Sequence, residues 1–376
     1  MREHWSNCVT HFDSTALDFI ARYFARPDRK CLLIGGAGFD PRSQIVSKNL
    51  AAAQGGRLRA IYIREERGQP DRDLVEVAEG NEAALKAIAP GAEVWAVPIF
   101  DEQDNAPIGG ARIAERLRRY KIPDDVTDIV LDMSALSLGV AFPAAKLVLE
   151  RSEGRPTLNF HLMIASDPDL DARIVAEPSA RSQAVRGFSG ALGMATSLRP
   201  ARIWLPQLAP GKRATLAKIR VGLDDIYKVC PILPFPATDP RRADALIQEY
   251  GEEIRGDWSV DPRDYMYVSE RNPLDAYRTL DTLKHRYDRT VEGVFAPQLI
   301  LSPVGSKVMA AGAMMAAIRH SLPVQYVEAL RYDINPQVQA VQQDRMTLVH
   351  LWLDGSIYDS YGVAAAASAS SGPVHA

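Results

Sequence analysis

The chain is poor in cysteine, has no surplus of positive charge and lacks any long apolar run, and each absence removes a class of protein. Cys8, Cys31 and Cys230 are the only cysteines in 376 residues. They are too few and too far apart for a disulfide framework or a zinc site of paired cysteines. Cys31 and Cys230 read as small core residues. The seven histidines show neither HxH nor HxxxH spacing, so no metal site is expected. Lys and Arg total 44 against 47 Asp and Glu, which gives no global field for holding a long nucleic acid. No apolar run approaches the roughly 20 residues that span a bilayer. The opening MREHWSNCVTHFDS lacks the apolar centre of a signal peptide. A cytoplasmic protein with no membrane partner is the expectation.

What is present is alternation. In the first half CLLIGG (31–36), LRAIYI (58–63), EVWAVPI (93–99), DIVLDM (128–133) and LNFHLMI (158–164) are short runs rich in strand formers. Between them, segments near Ser43–Gln54, Leu74–Ile88, Ala111–Tyr120 and Leu138–Glu150 carry apolar residues at helical spacing. The second half repeats the programme. RIWLPQL (202–208), YKVCPIL (227–233), DYMYVS (264–269), PQLILS (297–302) and VQYVEAL (324–330) alternate with helices near Ala214–Val221, Arg242–Ile254, Leu274–Tyr287 and Lys307–Arg319. Corresponding strands lie about 170 residues apart, Leu32 onto Ile203 and Asp132 onto Ser302. The fold class expected is α/β, two tandem Rossmann-like parallel-sheet units related by internal duplication. The domains expected are residues 1–165, an inter-domain segment 166–200 read as a surface hairpin rather than a lid, and residues 201–358 ending in a strand and an Asp-Gly turn. The small-residue tail 359–376 reads as disordered.

In an open parallel sheet, ligands bind beyond the carboxyl ends of strands one and four, where successive connections diverge. After strand one of the first half comes GGAGFDPRSQ. Gly36 and Gly38 permit close approach of the backbone, and Arg42 near a helix start points either to an anionic partner or to pairing with a neighbouring acid. The third Gly of a dinucleotide fingerprint is replaced by Pro41. After strand four, LDMSALSLG supplies Asp132, a candidate general base or a turn cap, and Ser134. The matching places in the second half supply Lys212 and Arg213 in LPQLAPGKR, and Ser302, Gly305, Ser306 and Lys307 in LSPVGSKVM. Two helix starts bearing cations form a candidate phosphate cradle. Neither is the GxxxxGK[ST] of a Walker loop. The Ala and Met stripe after Lys307 reads as core.

The strand, the turn Gly305-Ser306-Lys307 and the Ala-rich helix that follows resemble the strand-four signature of CARF domains, Rossmann-like sensors of cyclic oligonucleotides. Two such units in one chain resemble the fused pair of SAVED domains, which sense cyclic nucleotides in bacterial antiviral defence. The resemblance covers the topology of residues 28–335. It implies a ligand-binding sensor or partner subunit whose effector is a separate protein.

Three functions are carried forward: a module binding a phosphorylated small molecule or a short cyclic oligonucleotide, an enzyme hydrolysing a nucleotide or nucleoside with Asp132 as base, and a scaffold subunit. The sequence names no cofactor.

Overall fold

Strands buried on both faces must be apolar without interruption, and that is what separates the central strands of this protein from its edges. The computed structural model describes residues 3–68, 70–190, 198–291, 294–334 and 346–358. Its first half runs β1 (Val9–Phe12), α1 (Asp13–Phe19), β2 (Cys31–Gly36), α2 (Ser43–Gln54), β3 (Arg59–Glu66), α3 (Arg72–Ile88), β4 (Glu93–Pro98), α4 (Gly109–Arg119), β5 (Asp128–Asp132), α5 (Leu138–Glu153) and β6 (Asn159–Ser166). An intervening stretch forms α6 (Pro168–Arg173), β7 (Ile174–Pro178) and β8 (Gln183–Ala184). The second half continues with β9 (Arg199–Pro206), α7 (Arg213–Val221), β10 (Ile226–Val229), β11 (Ile232–Pro234), α8 (Arg242–Glu249), α9 (Gly251–Arg255), β12 (Met266–Val268), α10 (Pro273–Thr290), β13 (Phe295–Ser302) and α11 (Lys307–His320). Strands β14 (Gln325–Tyr326), β15 (Ala329–Ile334) and β16 (Thr347–Asp354) follow.

The first sheet has seven strands in the order β1-β16-β6-β5-β2-β3-β4. Strands β4, β3, β2, β5 and β6 are parallel; β16 and β1 are antiparallel additions. Strands β2, β5 and β6 are buried throughout, whereas β4 at the edge alternates. In the second half β13 and β10 flank β9 in parallel, β11 pairs with β12, and Gln207 beyond β9 bridges to Ile232. The order third-second-first-fourth is therefore present in both halves. The molecule is α/β, with a large, mostly parallel central sheet.

Three expectations change. The run 227–233 is two strands, because Pro231 has no N–H to donate and interrupts the ladder after Val229. The strand at 346–358 does not close the second half: β16 crosses back and inserts between β6 and β1 of the first sheet. Segment 166–200 is more than a surface hairpin, since β7 and β8 pair antiparallel with β15 and β14. Residues 191–197 of that segment and the tail 359–376 lie outside the described residues.

One apolar cluster is continuous across the halves, from Ile34, Ile129 and Phe142 to Leu205, Leu301 and Met314. Helix α11 is buried from Val308 to Ala317, the core role its Ala and Met residues imply. Gly312 is required there, because a Cβ would meet the Pro273 carbonyl and the Ala276 methyl of α10. All three cysteines are buried.

A polar row crosses the first sheet beneath Phe19. His11 Nδ1 lies 2.9 Å from His350 Nδ1, His350 Nε2 lies 2.9 Å from His161 Nδ1, and His161 Nε2 lies 3.1 Å from Asp128 Oδ1. A single set of neutral tautomers satisfies it: each imidazole donates one N–H toward Asp128, and His161 and His350 accept on the other nitrogen.

Candidate functional site

The carboxyl ends of the parallel strands in both halves open on one cleft of about 230 Å³. The first half brings the loops after β2, β3 and β5; the second brings those after β9, β11 and β13; β7 and the Tyr326–Tyr332 stretch close one side. Helices α5 and α11 start at this cleft, so the positive ends of two helix dipoles face it from opposite halves.

Gly38, Arg42, Ser134, Lys212, Gly305, Ser306 and Lys307 line the cleft. Arg42 stands at the N-cap of α2 and is 1% exposed. Its guanidinium holds Asp40 through Nε at 3.0 Å and Nη2 at 2.7 Å, and Nη2 lies 2.8 Å from Asp171. Nη1 is buried with no hydrogen-bond partner. Ser134 is fully engaged: its hydroxyl donates to Asp132 Oδ1 and accepts the Ala165 N–H at 2.7 Å. Ser306 caps α11 by accepting the Met309 N–H at 3.2 Å.

Four sequence candidates are not in the lining. Asp132 is 1% exposed beneath Ser134, and burial pushes its carboxyl up to about 7. A general base must reach the proton it removes, and Asp132 does not reach the cleft. Gly36 ends β2 against the Ala135 backbone, where a Cβ would sit 3.0 Å from the carbonyl oxygen, so its role is close packing. Ser302 is buried and accepts the Trp204 indole N–H at 2.9 Å. Arg213 points away, half-exposed, to Glu252 and Glu253 on α9.

The cleft also holds residues that the sequence did not single out. Glu65 Oε1 accepts the Ser137 N–H at 2.7 Å at the start of α5. Arg67 Nη2 lies 2.9 Å from Glu65 Oε2 and 3.1 Å from Glu328 Oε1, and its guanidinium sits 4.8 Å over the Tyr332 ring. Burial, reinforced by neighbouring Glu65, pushes Glu328 up to about 6. Gly139 lets Glu328 approach the first turn of α5, because a Cβ there would overlap the carboxylate. On the far wall Arg242 lies 3.2 Å from Asp169 and 3.1 Å from Glu270. Glu65 and Arg67 were legible as charges at the end of strand two, in YIREERG. Asp171 and Glu328 come from segments with no local pattern that marks a site.

The cations therefore fall into two kinds. Arg42, Arg67 and Arg242 are each bracketed by two carboxylates. Lys212 donates to the Ile174 carbonyl at 3.4 Å and Lys307 to the Leu136 carbonyl, and among the described residues neither is in an ion pair. Burial lowers both ammonium pKa values. Arg42 Nη1 and the Ser137 hydroxyl are also buried without a partner, against one unpartnered acceptor in the lining, Asp171 Oδ2, so donors outnumber acceptors. That is the chemistry of a site for an anion rich in oxygen.

No family model matches the chain, and no curated protein matches it. Among solved structures it is similar to an NH3-dependent NAD synthetase from Campylobacter jejuni subsp. jejuni in complex with the nitrate ion, at 10% identity over 86% of this chain and 93% of that chain, with a TM-score of 0.20. It is also similar to an N-terminal ketoreductase from a macrolactin assembly line, at 10% identity over 73% of this chain and 60% of that chain, with a TM-score of 0.18. Likeness at that level carries no argument about function. No helix among the described residues is long and apolar enough to cross a membrane.

Proposed function

We propose that the cleft between the two halves binds a phosphorylated small molecule of the nucleotide class. The observation that carries this reading is the pair Lys212 and Lys307, two cations that hold only carbonyl oxygens, facing Arg42 Nη1 across a cleft into which α5 and α11 point their N-termini. A phosphate entering there replaces weak carbonyl contacts with charge-assisted hydrogen bonds, and the unpartnered donors gain acceptors. The resemblance to CARF and SAVED domains narrows the proposal to a cyclic oligonucleotide and to a cytoplasmic sensor or partner subunit in prokaryotic antiviral defence, acting through a separate effector protein.

Two measurements test this. Denaturing the purified protein and identifying released nucleotides by mass spectrometry should yield a defined species. Calorimetric titration with mono-, di- and cyclic oligonucleotides should give saturable heat with at least one, lost in Lys307→Ala. Neither a released species nor heat from any of these ligands would remove the support.

The hydrolase reading moves away from Asp132, which is covered, to Glu65, a carboxylate that lines the cleft beside Arg67. Glu328 is buried behind Arg67 and, like Asp132, is not in the cleft lining. Turnover of a bound nucleotide that disappears in Glu65→Gln, with binding retained, would favour catalysis over sensing.

A further inference from the structure

We propose that Asp281, His285 and His320 bind one zinc(II) ion at the surface, clipping α10 to the end of α11. Asp281 and His285 are four residues apart on α10 and so share a face. His320 is the last residue of α11, which packs tightly on α10 through Gly312. Asp281 Oδ1 lies 2.8 Å from His320 Nε2 and 3.8 Å from His285 Nε2, and all three ligand atoms fall within 4.8 Å of one another. A tetrahedral ion with bonds of about 2.0–2.1 Å holds its ligands roughly 3.3 Å apart. The observed spacings bracket that value, so small side-chain rotations admit the ion. The two imidazole planes are 86° apart with centroids at 5.3 Å, which lets both rings turn a nitrogen to one point without stacking.

The surroundings decide which ion and how tightly. Two imidazoles and a carboxylate suit zinc and leave a fourth position for water. The C-terminal carbonyls of α11 end at Ser321, and this negative end of a fourteen-residue helix favours a cation. Arg319 works against it: its Nε lies 3.0 Å from Asp281 Oδ1. Arg319 and both histidines meet the same oxygen, Oδ1, so the ion enters by displacing Arg319 from it, and that competition reduces its affinity. His285, more than half exposed, opens the entry path, while Asp281 and His320 are held in place by their burial.

The test uses the full chain without a histidine tag, dialysed against zinc chloride and analysed for metal, with thermal unfolding in parallel. The expected result is one zinc per chain and a higher Tm with zinc. His285→Ala, which removes an exposed ring, should weaken zinc binding at least tenfold and leave the metal-free Tm unchanged. Asp281→Asn should weaken binding similarly while keeping the shape of the side chain. Absence of stoichiometric zinc in the wild type, or equal binding by His285→Ala, overturns the proposal. Zinc retained by both variants places the metal elsewhere and overturns it equally.

Discussion

The two halves place the same kind of loop at the same cleft, yet they arm those loops differently. The first half offers arginines already matched by carboxylates: Arg42 between Asp40 and Asp171, Arg67 between Glu65 and Glu328. The second half has one arginine matched in the same way, Arg242 between Asp169 and Glu270, and adds Lys212 and Lys307, which rest on carbonyls. A guanidinium presents a rigid fork suited to fixed bidentate pairing, whereas an ammonium on a flexible stem turns to meet a new partner. The halves thus differ in that only the second adds ammonium groups held by carbonyls alone. The same contrast runs through the sheets. The first is widened by β16 and β1; in the second, β9 lies between β13 and a strand that Pro231 breaks into β10 and β11.

The comparison presumes that the halves are one folded body, and Trp5 is the place to break it. Trp5 is fully buried, donates its indole N–H to the Leu353 carbonyl at 2.7 Å, and meets Tyr277 of α10 edge-on at 6.1 Å. It therefore ties the N-terminus to a strand of the first sheet and a helix of the second half. Trp5→Ala should cost about 3–5 kcal/mol. Denaturant unfolding of the wild type should show a single transition by fluorescence and by circular dichroism. Two separated transitions would mean that the halves are independent units sharing a contact.

The next effect is on binding. A hydrogen bond to a charged group contributes about 1.5–3 kcal/mol, so Lys307→Ala should weaken the nucleotide recovered from the protein about 10- to 150-fold. Lys212→Ala should do the same to a similar degree, and Arg213→Ala should leave affinity unchanged, because its ion pairs lie outside the cleft. Calorimetric titration checks all three. Equal losses in Lys307→Ala and Arg213→Ala would show that net charge matters and position does not.

Much of the fold was legible because periodicity is local. The helix from Ser43 to Gln54 and the strand from Cys31 to Gly36 match their sequence readings, and Gly38, Arg42, Lys212 and Lys307 meet because strand ends in a parallel sheet must. What failed was long-range. Nothing in LVHLWLD says that it pairs with LNFHLMI almost 190 residues earlier, since an apolar strand fits any sheet that leaves an edge open. The carboxylates that neutralise the arginines were missed for the same reason: Asp171 and Glu328 are brought in by β7 and β15, whose pairing has no signature in either segment. The proposed cluster at Asp281 lies outside the histidine spacings considered, since it joins an Asp-x-x-x-His pair to His320, 35 residues on.

The smallest effects separate the halves by pH. Burial lowers the pKa of His161 and lowers that of His350 far more, so both are neutral when folded. An unfolded histidine titrates near 6.5, and below that value the unfolded chain binds more protons than the folded one. The stability contributed by the histidine row is thus present above pH 6.5 and is lost as pH falls below it, by about 1.4 kcal/mol per pH unit for each buried imidazole. The buried carboxyls have the opposite sign. Asp132, raised to about 7, and Glu328, raised to about 6, bind more protons folded than unfolded. Their contribution is fully present below the unfolded carboxyl range and is lost as pH rises through 6 and then 7. Above about pH 7 both carboxyls are ionised in the folded and the unfolded chain alike, so their effect on the unfolding free energy, measured from pH 5 to 8, levels off there. His350→Phe should flatten the acid side and leave the alkaline side alone. Asp132→Asn should stand above the wild type by an amount that grows from pH 5 to about pH 7 and is constant beyond it, since its amide oxygen still accepts from Ser134 while the buried charge is gone. An Asp132→Asn curve parallel to the wild type would mean that the carboxylate is already ionised when folded, and the charge it adds beneath Ser134 would then have to be counted against the positive field of Lys307.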